Sequence, residues 1–261
     1  MADIKSEIMQ KLSETEKCHD VKIPFAIESG SRGWGFASPD SDYDCRFIYV
    51  HSKDWYLSVF DKKDIIEYAA DAVFDVNGWD LKKALKHIMK SNAVMFEWLS
   101  SNEIYICDEY VAKQLDDLAQ DFFNPVAVSY HYLSIARNKL AEVLPEDDVK
   151  LKKYFYILRP LANLNFIYQH NKMPYMEYDK TLSETDIENE ILCIIQELKQ
   201  IKTASSESFK VKPNEILTKY FQKEISLFEE RLKGMSFTKD RGYDRIDAVF
   251  RDIIEAVRHD K

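Results

Sequence analysis

The chain has 261 residues, with 36 Lys and Arg against 45 Asp and Glu, a formal net charge of −9, and 46% hydrophobic and 13% aromatic residues. That length supports one large domain or two small ones around a buried core, and the composition is that of an ordinary globular protein. The acidic balance excludes a protein that coats nucleic acid through a broad basic surface and leaves room only for a confined basic pocket or groove.

Ile4, Ile8, Met9 and Leu12 recur at helical spacing in a Glu- and Lys-rich segment, which predicts an amphipathic helix over residues 3–17. Charges run through this segment, and no stretch of about 18 apolar residues occurs anywhere, so the expectation is a cytoplasmic protein without a membrane span. Cys18, Cys45, Cys107 and Cys193 are widely separated and form no CxxC pair. Neither a thiolate zinc site nor a disulfide framework is expected, and a reducing compartment fits. The six histidines show no metal-ligand spacing.

"VKIPFAIE" and "DCRFIYVHS" predict two strands, and "IIEYAADAVFDV" predicts one or two more, so strands cluster between residues 22 and 79. From "WDLKKALKHIMKSNAVMFEWLSS" the period becomes helical through Leu81, Leu85, Ile88 and Met89, with Asp80 at the N-cap and Asn92 near the end. Trp98, in "EWL", reads as a core residue. Helices are expected at 108–121, 125–144, 147–169, 184–202, 214–232 and 244–258, with 202–215 the clearest loop. The chain thus reads as α+β, with a mixed half followed by a helical half and a boundary near residues 105–125.

The window "AIESGSRGWGFASPDSDYDCRFIYV" holds three of the six glycines, Gly30, Gly33 and Gly35, then Asp40, Asp42 and Asp44. A calcium loop beginning at Asp40 needs Gly and Glu where Cys45 and His51 stand, so that motif fails. The dinucleotide pattern G-x-G-x-x-G and the P-loop ending G-K-[ST] are absent as well. A plain hairpin accounts for Pro39, Asp40 and Ser41, because Asp and Ser bond their own backbone in turns. It accounts less well for Asp42 and Asp44, which fall on one face of a strand, where like charges repel unless a cation joins them. The other reading has a Gly-Ser turn whose amides approach phosphate oxygens while two carboxylates hold Mg²⁺.

"GSRGWG" followed by "SDYDCRFIYV" resembles the signature of the polymerase-β-type nucleotidyltransferase superfamily, a Gly-Ser turn with hDxDh on the next strand. With "DVNGWDLKKALKHIMKSNAVMFEWLSS" and "KKYFYILRPLANLNFIYQHNKMPY", the chain is similar to the RNA-ligase-associated nucleotidyltransferases of the RlaP family, over most of its length to about residue 180. The resemblance implies a nucleotidyltransferase-type mixed sheet flanked by helices in residues 1–110 and a helical domain in 111–261 closing the active-site cleft.

The resemblance further implies Gly30 and Ser31 at the triphosphate, Asp42 and Asp44 at the metals, and a third acid on a neighbouring strand, with Asp75 favoured over Asp80, whose alternative is the helix cap. Mg²⁺, with Mn²⁺ as a substitute, and an NTP are the expected cofactor and substrate. Arg32 reaches for a phosphate in this reading, whereas Arg46 equally pairs with the aspartates. Lys83 is a further contact or a solvated helix residue, and Lys153 and Arg159 are carried as phosphate contacts. Lys152, Tyr156, Arg159 and Asn163 form a polar stripe facing either a cleft or solvent, and Pro160 should bend their helix. Trp34 stacks on a base or anchors packing. The implied reaction moves an NMP to a hydroxyl of an RNA end, a protein or a small molecule; a protein-modifying adenylyltransferase and a non-catalytic, antitoxin-like nucleotide binder are the alternatives.

Overall fold

A computed structural model describes residues 4–69, 74–238 and 242–257. The chain divides into two compact units, one comprising residues 1–33, 42–122 and 240–261, the other residues 34–41 and 123–239.

The first unit opens with α1 (Ile4–His19), β1 (Lys22–Glu28) and a short helical turn, α2 (Gly30–Gly33). Then come β2 (Tyr43–Val50), α3 (Lys53–Tyr56), β3 (Ile65–Ala69) and β4 (Phe74–Asp80), so the segment expected to hold one or two strands holds two. The remainder of this run is α4 (Leu81–Met89), α5 (Ala93–Leu99), β5 (Ile104–Cys107) and α6 (Glu109–Phe122). The sheet order is β3-β4-β2-β1-β5. Among the described residues only β2 and β4 pair in parallel; β1 is antiparallel to β2 and β5, and β3 to β4.

Alternation along the strands separates the two faces of this sheet. One face carries Cys45, Phe47, Tyr49, Phe74 and Val76, which form a core with Ile8 and Leu12 of α1. The opposite face carries Asp44 and Asp75 at one end of the parallel pair and Trp79 near the other. Trp79 stacks against His87 of α4 and packs on Trp98 of α5, with centroids 4.4 and 4.1 Å away. Trp98 is buried, as expected of a core residue. At Gly78 a Cβ would overlap the Phe47 ring on the neighbouring strand, which explains a glycine inside an otherwise well-filled strand.

Asp80 caps α4, its carboxylate accepting from Lys82 N at 2.8 Å. Asn92 stands near the end of the α4 helix, as expected, three residues past Met89. It caps a second, α5, by accepting from Met95 N, after α4 has stopped at Lys90.

The second unit contains α7 (Pro125–Val143), β6 (Val149–Lys150), α8 (Leu151–His170), α9 (Tyr178–Ser183), α10 (Asn189–Ala204), β7 (Lys210–Val211) and α11 (Glu215–Leu232). β6 and β7 pair antiparallel, so the segment expected to be the clearest loop carries a short strand. α8 runs through Pro160 without a break. The last helix, α12 (Asp244–Ala256), belongs to the first unit rather than to the helical one. There Phe250 meets Tyr56 edge-on at 5.0 Å, and Arg245 pairs with Asp121. Among the described residues, no helix is long and apolar enough to cross a membrane.

Candidate active site

The candidate site grows from the parallel pairing of β2 with β4. Their register sets Asp44 directly opposite Asp75, so two carboxylates from different stretches of chain meet on one face of the sheet. Arg46, two residues along the same face, joins them: its Nη2 donates to Asp44 Oδ1 at 2.8 Å and to Asp75 Oδ2 at 2.7 Å. Its Nη1 donates to the carbonyls of Cys45 and Asp75 at 3.2 and 3.0 Å. A cation therefore offsets the repulsion of the two acids, and of the two roles open to Arg46 the structure displays the pairing one.

Gly30 explains the glycine at the turn. Its φ is +59°, and a Cβ there would overlap the Asp44 carboxylate. Both facts demand glycine, and together they bring the backbone of the Gly-Ser turn against Asp44. The turn closes as a single helical turn, with Gly33 N donating to Ser29 O at 3.1 Å and Ser29 N to Asp44 O at 2.9 Å. Ser31 lies within α2, half-buried. Arg32 donates through Nε to Asp42 O at 3.1 Å and lays its guanidinium 3.8 Å from the Tyr43 ring centroid. Asp42 itself stands just before β2, with an exposed side chain.

Glu28 was not legible as a site residue. It ends β1, is 3% exposed, accepts from Asp44 N at 2.9 Å and from the Tyr105 hydroxyl, and is pushed up to about 7 chiefly by burial. An acid at the end of an apolar strand looks the same in sequence whether it points to water or inward. The available signal was its position directly before the Gly-Ser turn.

The other sequence candidates lie elsewhere. Asp80 is at the far end of β4 from Asp75, buried and bonded to the Tyr56 hydroxyl at 2.8 Å, so of the two candidate third acids only Asp75 adjoins Asp44. Lys83 is also near that far end, paired with Asp64 at 3.1 Å. Lys153 and Arg159 are in the second unit, Lys153 paired with Glu146 and Arg159 stacked 4.4 Å from the Trp34 ring centroid. The polar stripe on α8 is not a solvent face: Arg159 and Asn163 are 6% and 1% exposed, and Lys152 is held by Glu207 at 2.7 Å. Trp34 packs against Phe36 and Tyr156 with centroids 5.6 and 5.9 Å away, which favours the packing anchor.

The donors fit a hard divalent cation. Mg²⁺ takes oxygen ligands and is commonly held by one or two carboxylates, with water and phosphate oxygens completing its shell. Asp44 and Asp75 form such a pair, bridged by Arg46 in this structure, and glycine at position 30 leaves room for the Asp44 carboxylate itself. No cluster of three or more acidic, His or Cys side chains suited to a metal occurs among the described residues, so the set is two carboxylates rather than a closed cage.

Paired acids on parallel neighbours, set against a Gly-Ser turn, are the layout expected of a nucleotidyltransferase-type protein. Residues 4–252 match the RlaP family, described as the RNA repair pathway DNA polymerase beta family, and the chain belongs to it. It is similar to the uncharacterized protein YcgL of Bacillus subtilis (strain 168), with 35% identity over 257 residues covering 98% of this chain and 99% of that protein. Among solved structures, a nucleotidyltransferase-like protein from Exiguobacterium sibiricum 255-15 aligns over 96% of this chain and 88% of its own, with 10% identity and a TM-score of 0.32.

Proposed function

We propose that the chain is a Mg²⁺-dependent nucleotidyltransferase that moves an NMP from an NTP to a hydroxyl acceptor, an RNA end being the acceptor its family description favours. The observation that carries the reading is the in-register meeting of Asp44 and Asp75 beside Gly30. In the reaction the acceptor oxygen attacks the α-phosphorus, a new P–O ester forms, and the bond to pyrophosphate breaks. Gly30 and Ser31 present the turn to the triphosphate, where a side chain larger than hydrogen at position 30 would collide with the Asp44 carboxylate. Asp44 and Asp75 would hold the metal, with Asp42, just before β2, as a further carboxylate. Asp75, the more exposed member of the in-register pair, also takes the proton of the incoming hydroxyl. Arg46 is a positioning residue that fixes both carboxylates. Bound Mg²⁺ supplies charge neutralisation at the phosphates and lowers the cost of developing charge.

The test is pyrophosphate release by the purified chain with Mg²⁺, each of the four NTPs, and RNA or protein acceptors. Release that disappears in an Asp42→Asn, Asp44→Asn variant is the expected result. No nucleotide binding and no release with any acceptor, or full activity in that variant, overturns the reading. Metal-dependent NTP binding without turnover would identify a nucleotide-binding protein instead.

A further inference from the structure

A second feature of the first unit lies at the opposite end of β4 from Asp75. Asp80 is five residues along an extended strand, about 17 Å away at 3.3–3.4 Å per residue. A cavity of about 370 Å³ opens there, lined among others by Trp55, Phe60, Lys62, Lys82, Lys83 and Lys86. Four ammonium groups around one cavity stand out in a chain of net charge −9.

Three acids share the lining with the four lysines, and of these Asp61 is exposed while the other two are engaged. Asp64 is bound by Lys83, and Asp80 is buried and accepts from the Tyr56 hydroxyl and Lys82 N. Lys62, Lys82 and Lys86 make no ion pair among the described residues. Lys62 instead lies 5.8 Å from the Trp55 ring centroid and Lys82 5.5 Å from that of Tyr56. The lining carries Val59 and Phe60 at 92% and 77% exposure, large apolar side chains left in water.

Unpaired lysines interleaved with an accessible aromatic are the elements of single-strand recognition, since bases stack on rings while ammonium groups track phosphates. A cavity of this size accepts one nucleotide unit rather than a duplex. An apolar peptide would cover Phe60 equally well but would leave three ammonium groups unanswered. We propose that this cavity anchors a single-stranded RNA, with a base stacked on Phe60 and the adjoining phosphates held by Lys62, Lys82 and Lys86. That the strand is the acceptor rests on the nucleotidyl-transfer reading; that it binds here does not.

The test is fluorescence anisotropy of a labelled oligouridylate of about ten nucleotides with the full chain, without NTP, as salt is raised. The Lys62→Glu, Lys86→Glu variant should bind at least tenfold more weakly, with a log–log salt slope smaller by about 1.4, or about 0.7 for each phosphate that is no longer neutralised. Phe60→Ala should weaken binding roughly 5- to 100-fold. Unchanged thermal midpoints confirm that these surface variants fold, and Asp44→Asn should bind the strand as the native chain does. Pyrophosphate release is measured on the same preparations, so failure of catalysis and failure of anchoring are seen separately. Native affinity and salt slope in the double variant overturn the proposal, as does no strand binding at low salt. Loss of self-association in Phe60→Ala with no strand binding would show the surface to be an interface between copies, and would equally overturn it.

Discussion

Replacing Arg46 by Gln tests whether one guanidinium organises the acidic centre. The native side chain makes four hydrogen bonds, two of them to Asp44 and Asp75 at 2.8 and 2.7 Å. A hydrogen bond to a charged group is worth about 1.5–3 kcal/mol, and the Asp44 arm keeps that weight because both side chains are about four-fifths buried. The Asp75 arm, with that side chain 52% exposed, is screened to under about 1 kcal/mol. Arg46→Gln should therefore cost about 3 kcal/mol in urea unfolding with EDTA present. It also leaves two carboxylates facing each other, so added Mg²⁺ should stabilise the variant more than the native chain. Binding to the folded state alone yields about 2.7 kcal/mol at about one hundred times the dissociation constant. A variant within about 0.5 kcal/mol of native in EDTA, or an equal Mg²⁺ response in the two proteins, would refute the reasoning.

Gly30→Ala combines a φ of +59° with overlap of the Asp44 carboxylate and should cost about 2–4 kcal/mol in denaturant unfolding; native stability would show that the turn yields freely. Asp80 is raised to about 6 from its ordinary 3.8, mainly by burial, so its neutral form is the one folding favours. Its contribution to stability is complete below about pH 4 and is lost as pH rises through about 6, a difference of about 3 kcal/mol. Asp80→Asn, which can still cap α4, should flatten that part of the stability profile, and an unchanged slope would count against the assignment. Lys202 is 3% exposed and its ammonium donates to Ser38 Oγ at 3.1 Å, while Glu207 is also held by Lys152 and Ser41. Lys202→Met should change thermal stability by less than about 1 kcal/mol, whereas Glu207→Ala, which strands a buried cation, should cost about 3 kcal/mol.

Local patterns in the chain were legible where a single period ruled. Leu81, Leu85 and Ile88 with Asp80 before them defined α4, and the acidic motif placed Asp44 on a strand beside a Gly-Ser turn. Elements set by partners were not. β5, Ile104–Cys107, is four residues long and exists by pairing with β1, and β7 is two residues made a strand by β6. α12 carries the same amphipathic pattern as the helices of the second unit, and only packing assigns it to the first. The meeting of Asp44 with Asp75 depends on parallel register across 31 positions of chain, which no local spacing encodes. Likewise Arg159 and Asn163 read as a polar stripe, although their burial is decided by the elements packed around α8.

The assignment of α12 to the first unit has a consequence for synthesis. Ile246, Val249 and Ile253 form its buried stripe, and Tyr56 and Asp121, which meet Phe250 and Arg245, emerge from the ribosome long before it does. At about 5–20 residues per second, the stretch from Phe122 to Asp244 takes roughly 6 to 24 s to translate. For that interval the nascent sheet unit has all its strands but lacks its last helix. Its assembly is thus finished only after the whole of the inserted helical unit has been made, which ties the order of translation to completion of the unit that carries Asp44 and Asp75.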